Sequence, residues 1–131
     1  MNDMRMGLDV HGVIDKMPEF FSAMSEAMVN YGFQVHIITG HAWTKAFVKE
    51  LEELGFTEGL NYTHHFSVTD YYREEPAAKV RFDEDGNPWM DKEMWDRAKA
   101  KYCLDNDIEL HIDDSDAYGK YFKTPYARLT R

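Results

Sequence analysis

The chain has a single cysteine, Cys103, so no internal disulfide can form. That thiol falls in an amphipathic stretch, which suits packing in a reducing compartment better than nucleophilic chemistry. Cations are also scarce: 15 Lys and Arg stand against 24 Asp and Glu, a net charge of -9. Such an excess repels polyphosphate backbones and makes duplex nucleic acid a poor partner. No run approaches the roughly 20 apolar residues that span a bilayer, and residues 1–10 lack the basic-then-apolar layout of a secretory leader. The expectation is a cytoplasmic protein with no membrane partner. What is present is core material, 44% hydrophobic and 15% aromatic over 131 residues, the usual size of one domain. Residues 1–131 are therefore expected to form a single domain.

Apolar spacing predicts the elements. Arg5 to Val10 reads as a short strand. Pro18 opens a helix with Phe20, Phe21, Met24, Ala27, Met28 and Tyr31 on one stripe, and Gly32 ends it. Gln34 to Thr39 is a second strand, followed at Gly40 by a helix carrying Trp43, Phe47, Leu51 and Leu54 inward. Tyr62 to Val68 alternates as a half-exposed strand. Asp85-Gly86 between extended flanks predicts a β-hairpin insertion over 79–89. A helix from Asp91 carries Met94, Trp95, Ala98 and Tyr102 inward, and leads to a strand at Ile108–Ile112. Tyr126 to Thr130 adds a last short strand. Strands alternating with amphipathic helices predict an α/β fold with a doubly wound, mostly parallel sheet.

In such sheets ligands sit at the carboxyl ends of the strands. The residues leaving the strands are Asp9, Thr39-Gly40 and Asp113-Asp114. Carboxylates converging at one edge repel, by about 4 kcal/mol at ~4 Å and an effective dielectric of ~20, so a bridging cation is expected. Oxygen ligands favour Mg2+ over zinc. Thr39 and the Gly40 amide, where a helix is expected to begin, suit an anion, and phosphate is the natural guest. The paired histidines His64-His65 point to opposite faces of a strand, and His36 and His111 lie within other strands, so no histidine cluster suggests a metal.

Four segments together, LDVHGVI at 8–14, IITG at 37–40, a lysine in a late helix and IDDS at 112–115, resemble the motifs of the haloacid dehalogenase superfamily in order and placement. The resemblance spans Leu8 to about Tyr118. It implies a Rossmann-like fold and a phosphatase in which Asp9 is the nucleophile and forms an aspartyl phosphate. It implies magnesium held by Asp9, the main-chain carbonyl of His11, and Asp113 directly or Asp114 through water. It implies phosphate binding by Thr39, Gly40 and a lysine. Lys92, Lys99 and Lys101 all lie near the right place, and a K-x-x-x-C run points to Lys99.

The sequence departs from the family at position 11, where the phosphatases carry a second aspartate as general acid and base and this chain has His11. That group contributes on the order of 10²- to 10⁴-fold, and an imidazole of ordinary pKa about 6.5 suits proton transfer near neutrality. Little chain separates Asp9 from the first helix, so no large cap is expected and the site should be open. With an open site, the resemblance implies a magnesium-dependent phosphomonoesterase, nucleotidase-like, acting on a small phosphate ester such as a nucleotide. The competing expectation is a catalytically impaired metal- and phosphate-binding domain with a regulatory role. A phosphate-accepting receiver domain fits less well, because its acidic pair comes early in the chain.

Overall fold

The computed structural model describes residues 4–130. In chain order the elements are β1 (Arg5–Leu8), α1 (Pro18–Asn30), β2 (Gln34–Thr39), α2 (Lys45–Glu53), β3 (His64–Ser67), α3 (Val68–Arg73), β4 (Arg81–Phe82), β5 (Pro88–Trp89), α4 (Lys92–Asp105), β6 (Leu110–Asp113), α5 (Asp116–Gly119) and β7 (Tyr126–Arg128). Five strands form one all-parallel sheet in the order β3-β2-β1-β6-β7. Parallel neighbours need crossover connections, and the helices between strands supply them. The chain builds outward from β1 through β2 to β3, then returns to β6 on the other side of β1. The order therefore reverses between β1 and β6, where the ends of the strands leave a crevice.

Strand parity divides the core. Met6, Leu8, Val35 and Ile37 pack with Phe21 of α1 and with Phe47 and Leu51 of α2. Ile38 packs on the opposite side against Cys103 of α4, with Ile108, Tyr102 and Phe122 around it. Helices thus cover both faces, and the fold is α/β, compatible with a Rossmann-like arrangement. Leu8, Ile37 and Leu51 are fully buried, each worth roughly 2 kcal/mol of apolar burial. Burial also pushes the Cys103 thiol up to about 12, so it is not a nucleophile at neutral pH.

Several elements differ from the sequence expectations. Helix α1 turns Phe21 and Ser25 inward, while Phe20, Ala27 and Tyr31 face solvent; the apolar stripe is rotated because the sheet meets Phe21. β3 stops at Ser67, whose hydroxyl caps α3 by accepting from the Asp70 amide, so Val68 starts a helix. Residues 41–44 form a loop, and α2 begins only at Lys45, with Thr44 as its cap. The hairpin is present but short, with Asp83 Oδ1 accepting from the Asp85 and Asn87 amides across its loop. Among the described residues no helix is long and apolar enough to cross a membrane. Residues 1–3, which belong to the leader reading, lie outside the described residues.

His36 sits inside β2 at 2% exposure, its Nδ1 paired with Tyr102 Oη at 2.7 Å and its Nε2 with Gln34 Oε1 at 2.9 Å. Burial, with His64 and Arg5 nearby, lowers its pKa to about 4. The unfolded chain therefore binds a proton between the ordinary histidine value and about pH 4 that the folded chain refuses. Stability should fall through that window as pH drops, by about 2–3 kcal/mol from this residue. Urea denaturation at pH 7.5 and 4.5 is expected to show a smaller loss in His36→Gln than in the parent.

Candidate active site

The register of the sheet brings the two acids together. Gly7 of β1 lies opposite His111 of β6, and the Asp9 amide continues the ladder by donating to the Ile112 carbonyl at 3.0 Å. Two residues beyond that pair, and on the same face, stand Asp9 and Asp113. Helix α4 packs over this face and delivers Lys99 between them. The Lys99 Nζ lies 3.0 Å from Asp9 Oδ1 and 2.9 Å from Asp113 Oδ2, with all three side chains nine-tenths or more buried. Lys92 and Lys101 are exposed and pair with Asp96 and Asp105 on their own helix.

The two carboxylates have different environments. Asp113 Oδ2 accepts from Lys99 and pairs with His111 Nε2 at 2.9 Å, and its Oδ1 accepts from the Asp114 and Ser115 amides. Burial works against its charge, yet the His111 hydrogen bond and Lys99 hold it well below the ordinary carboxylate range. Burial keeps His111 below the usual histidine value, hence neutral. In Asp9, Oδ1 faces Lys99, and among the described residues Oδ2 accepts no hydrogen bond. Burial and the facing Asp113 push this carboxyl up to about 7, against the pull of Lys99. Burial likewise opposes the Lys99 charge, but the two acids raise its pKa above the ordinary lysine value. One acid is thus committed to the protein and the other keeps an oxygen for a ligand.

Asp114 is exposed and stands beside them; one carboxylate oxygen from each of Asp9, Asp113 and Asp114 lies within 4.8 Å of the others. The loop after β1 reaches this point through Gly12, at φ +92, whose amide donates to Asp15 Oδ1 at 2.8 Å. A Cβ at Gly12 would fall 2.0 Å from Asp114 Oδ2 and 3.0 Å from its Cβ. Gly12→Ala is therefore expected to cost about 1–3 kcal/mol in a denaturation experiment and to displace the Asp114 carboxylate.

These groups open into a cavity of about 770 Å³. Gly40 lines it but Thr39 does not: Thr39 is 1% exposed, and its hydroxyl accepts from the His41 amide at 3.1 Å. Because α2 starts late, the helix terminus bordering the cavity is at Thr44, and the expectation that Gly40 opens a helix is corrected. His11 also lines the cavity, with Nε2 2.9 Å from Glu50 Oε1 of α2 and its ring 4.4 Å from that of His41. The His11 Nδ1 is buried without a hydrogen-bond partner. Trp95 and Tyr118 also line the cavity, joined by Trp95 Nε1 donating to Tyr118 Oη at 3.2 Å. Residues Asp85 to Pro88 of the hairpin line it as well.

Sequence reasoning did not identify His111, Glu50, Thr44 or Tyr118. The helical spacing of Trp95, Lys99, Tyr102 and Cys103 was available to place Lys99 on the inward stripe. Glu50 and Tyr118 enter through tertiary packing and carry no local signal. Fold and site together define a parallel α/β domain with an acid–lysine centre at its topological switch point. No family model matches the chain, and comparison with curated proteins and with solved structures finds no significant similarity.

Proposed function

We propose that this chain is a magnesium-dependent phosphomonoesterase of the haloacid dehalogenase type, acting on a small phosphate ester such as a nucleotide through an aspartyl phosphate on Asp9. The observation that carries the reading is the buried Lys99 ammonium clamped between Asp9 and Asp113 at the floor of an open cavity, with Asp9 Oδ2 left unpaired. A nucleophilic carboxylate needs one oxygen fixed and the other free.

The donor set fits magnesium, being oxygen-only and convergent, with one carboxylate oxygen each from Asp9, Asp113 and Asp114 within 4.8 Å of the others, and the family resemblance would add the His11 carbonyl. Bound magnesium would supply charge neutralisation at the transferring phosphoryl group. Asp9 Oδ2 attacks phosphorus as the bond to the leaving oxygen breaks, and the leaving oxygen takes a proton from water in the open cavity. Lys99 offsets the negative charge shared by Asp9 and the phosphoryl oxygens. Water then attacks phosphorus, releasing phosphate and restoring the Asp9 carboxylate. The test is magnesium-dependent hydrolysis of an aryl phosphate and of nucleoside monophosphates. Hydrolysis that disappears in Asp9→Asn supports the proposal, and its absence from the parent with every substrate rejects the enzyme reading.

The state of His11 favours a second reading, a binding domain without turnover. One ring nitrogen is tied to Glu50 and the other is buried, so neither is presented to a leaving group. His11→Asp discriminates the two. A gain on the order of 10²-fold or more marks a chain impaired by the histidine, and a comparable loss marks the histidine as the working acid and base.

A further inference from the structure

A histidine inside a central parallel strand is unusual, since both faces of such a strand are normally apolar. His111 is fully buried, stacked on Phe122 at a ring distance of 5.2 Å and nearly parallel to it. The fold makes room for it: a Cβ on Gly7 would lie 2.7 Å from His111 Nδ1 and 2.6 Å from Ile38 Cδ1. The central strand thus gives up a side chain opposite the imidazole, at a cost in strand propensity.

We infer that His111 is a positioning residue for this site: by donating from Nε2 to Asp113 Oδ2 it keeps that carboxylate turned onto Lys99, and so holds the lysine ammonium on Asp9. The same oxygen serves both donors, at 2.9 Å each. The Asp114 and Ser115 amides secure the other oxygen. Without the imidazole, Oδ2 loses one of its two donors, and the carboxylate is held by Lys99 and by the two amides on Oδ1. Lys99 would then face an oxygen that has lost the second donor fixing its position, while Asp9 has no other cation to orient it among the described residues. His111 does not line the cavity and acts only through Asp113.

This inference rests on the proposed phosphatase reading for its kinetic arm and stands apart from it in its spectroscopic arm. His111→Leu removes the donor, whereas His111→Gln places an amide N–H where Nε2 was. In the parent chain, the Lys99 ammonium should give a resolved, slowly exchanging nitrogen-15 signal, because its protons are buried in hydrogen bonds. That signal is expected to persist in the Gln variant and to broaden or vanish in the Leu variant. With an aryl phosphate and magnesium, kcat should fall about tenfold to a hundredfold in the Leu variant, KM should stay within about threefold, and the Gln variant should recover most of kcat. A Leu variant with parental Lys99 signal and kcat overturns the inference. So does a Gln variant as impaired as Leu, which would mark a packing role. A parent that hydrolyses nothing rejects the phosphatase reading alone, and the Lys99 signal still decides the role of His111.

Discussion

Lys99→Met is expected to destabilise the protein by about 3–5 kcal/mol at pH 8, because it leaves two buried carboxyl groups facing each other without a cation. Methionine matches the length and apolar stem of the lysine, so the change removes charge rather than volume. In the parent the ammonium touches both acids at 3.0 and 2.9 Å in a pocket with almost no solvent access. With the cation gone, one carboxyl must take up a proton. Asp9 is the one that does, since it already stands at about 7, while His111 and two amides still stabilise charge on Asp113. The sign follows: the folded variant binds a proton that the unfolded chain has released, so its stability falls as pH rises, more steeply than in the parent. Urea denaturation at pH 5 and pH 8 should show most of the deficit at pH 8. Phosphate-ester hydrolysis should fall at least about 10²-fold as well, through lost stabilisation of the phosphoryl charge. A variant as stable as the parent at both pH values would mean that Lys99 does not hold this pair together.

The strand ends were legible in the sequence because they obey a local rule: an apolar run stops and a polar residue follows. Asp9 and Asp113 each end such a run, and period-two alternation already set them on the face opposite Leu8 and Ile112. Their adjacency was not legible, since it comes from β6 pairing with β1 across more than a hundred residues. The start of α2 was misplaced for a similar reason. Gly40 reads as a helix opening, but the Thr44 hydroxyl takes the Phe47 amide, and Trp43 is held outside the helix by its amide donating to Asp70 Oδ2. Val68 continues the apolar alternation of its strand, yet Ser67 caps a helix there. In each case a side-chain acceptor overrode periodicity. The hairpin was legible from Asp85-Gly86, but nothing local told that its tip would border the same cavity as Asp9. His36 and His111 were legible only as residues inside strands; that the second contacts the acid centre depends on the rotamer of Asp113.

Asp9→Asn is expected to abolish hydrolysis, by more than about 10⁴-fold, while leaving the metal-free protein as stable as the parent or more so at pH 8. The two effects have one origin. Burial and Asp113 raise the Asp9 carboxyl to about 7, so between the ordinary aspartate value and about 7 the folded chain holds a proton that the unfolded chain has lost. Stability contributed by that proton is present at low pH and lost as pH rises through the folded value. At pH 8 the ionised carboxylate is therefore a cost, and asparagine, which keeps an oxygen to accept from Lys99, avoids it. The expected gain is about 1–3 kcal/mol in the presence of a chelator, shrinking toward pH 4. On the proposed reading saturating magnesium should reverse the ranking, because an ion held by Asp9 would stabilise the parent by RT ln(1 + [Mg2+]/Kd) and the variant by less. Denaturation curves at pH 4.5 and 8, with chelator and with magnesium, read all three comparisons. If Asp9→Asn is instead less stable than the parent at pH 8 without metal, the Asp9 charge serves chiefly to neutralise Lys99. A site that gains stability on losing its proposed nucleophile has a carboxylate kept for ligand chemistry at the expense of the fold.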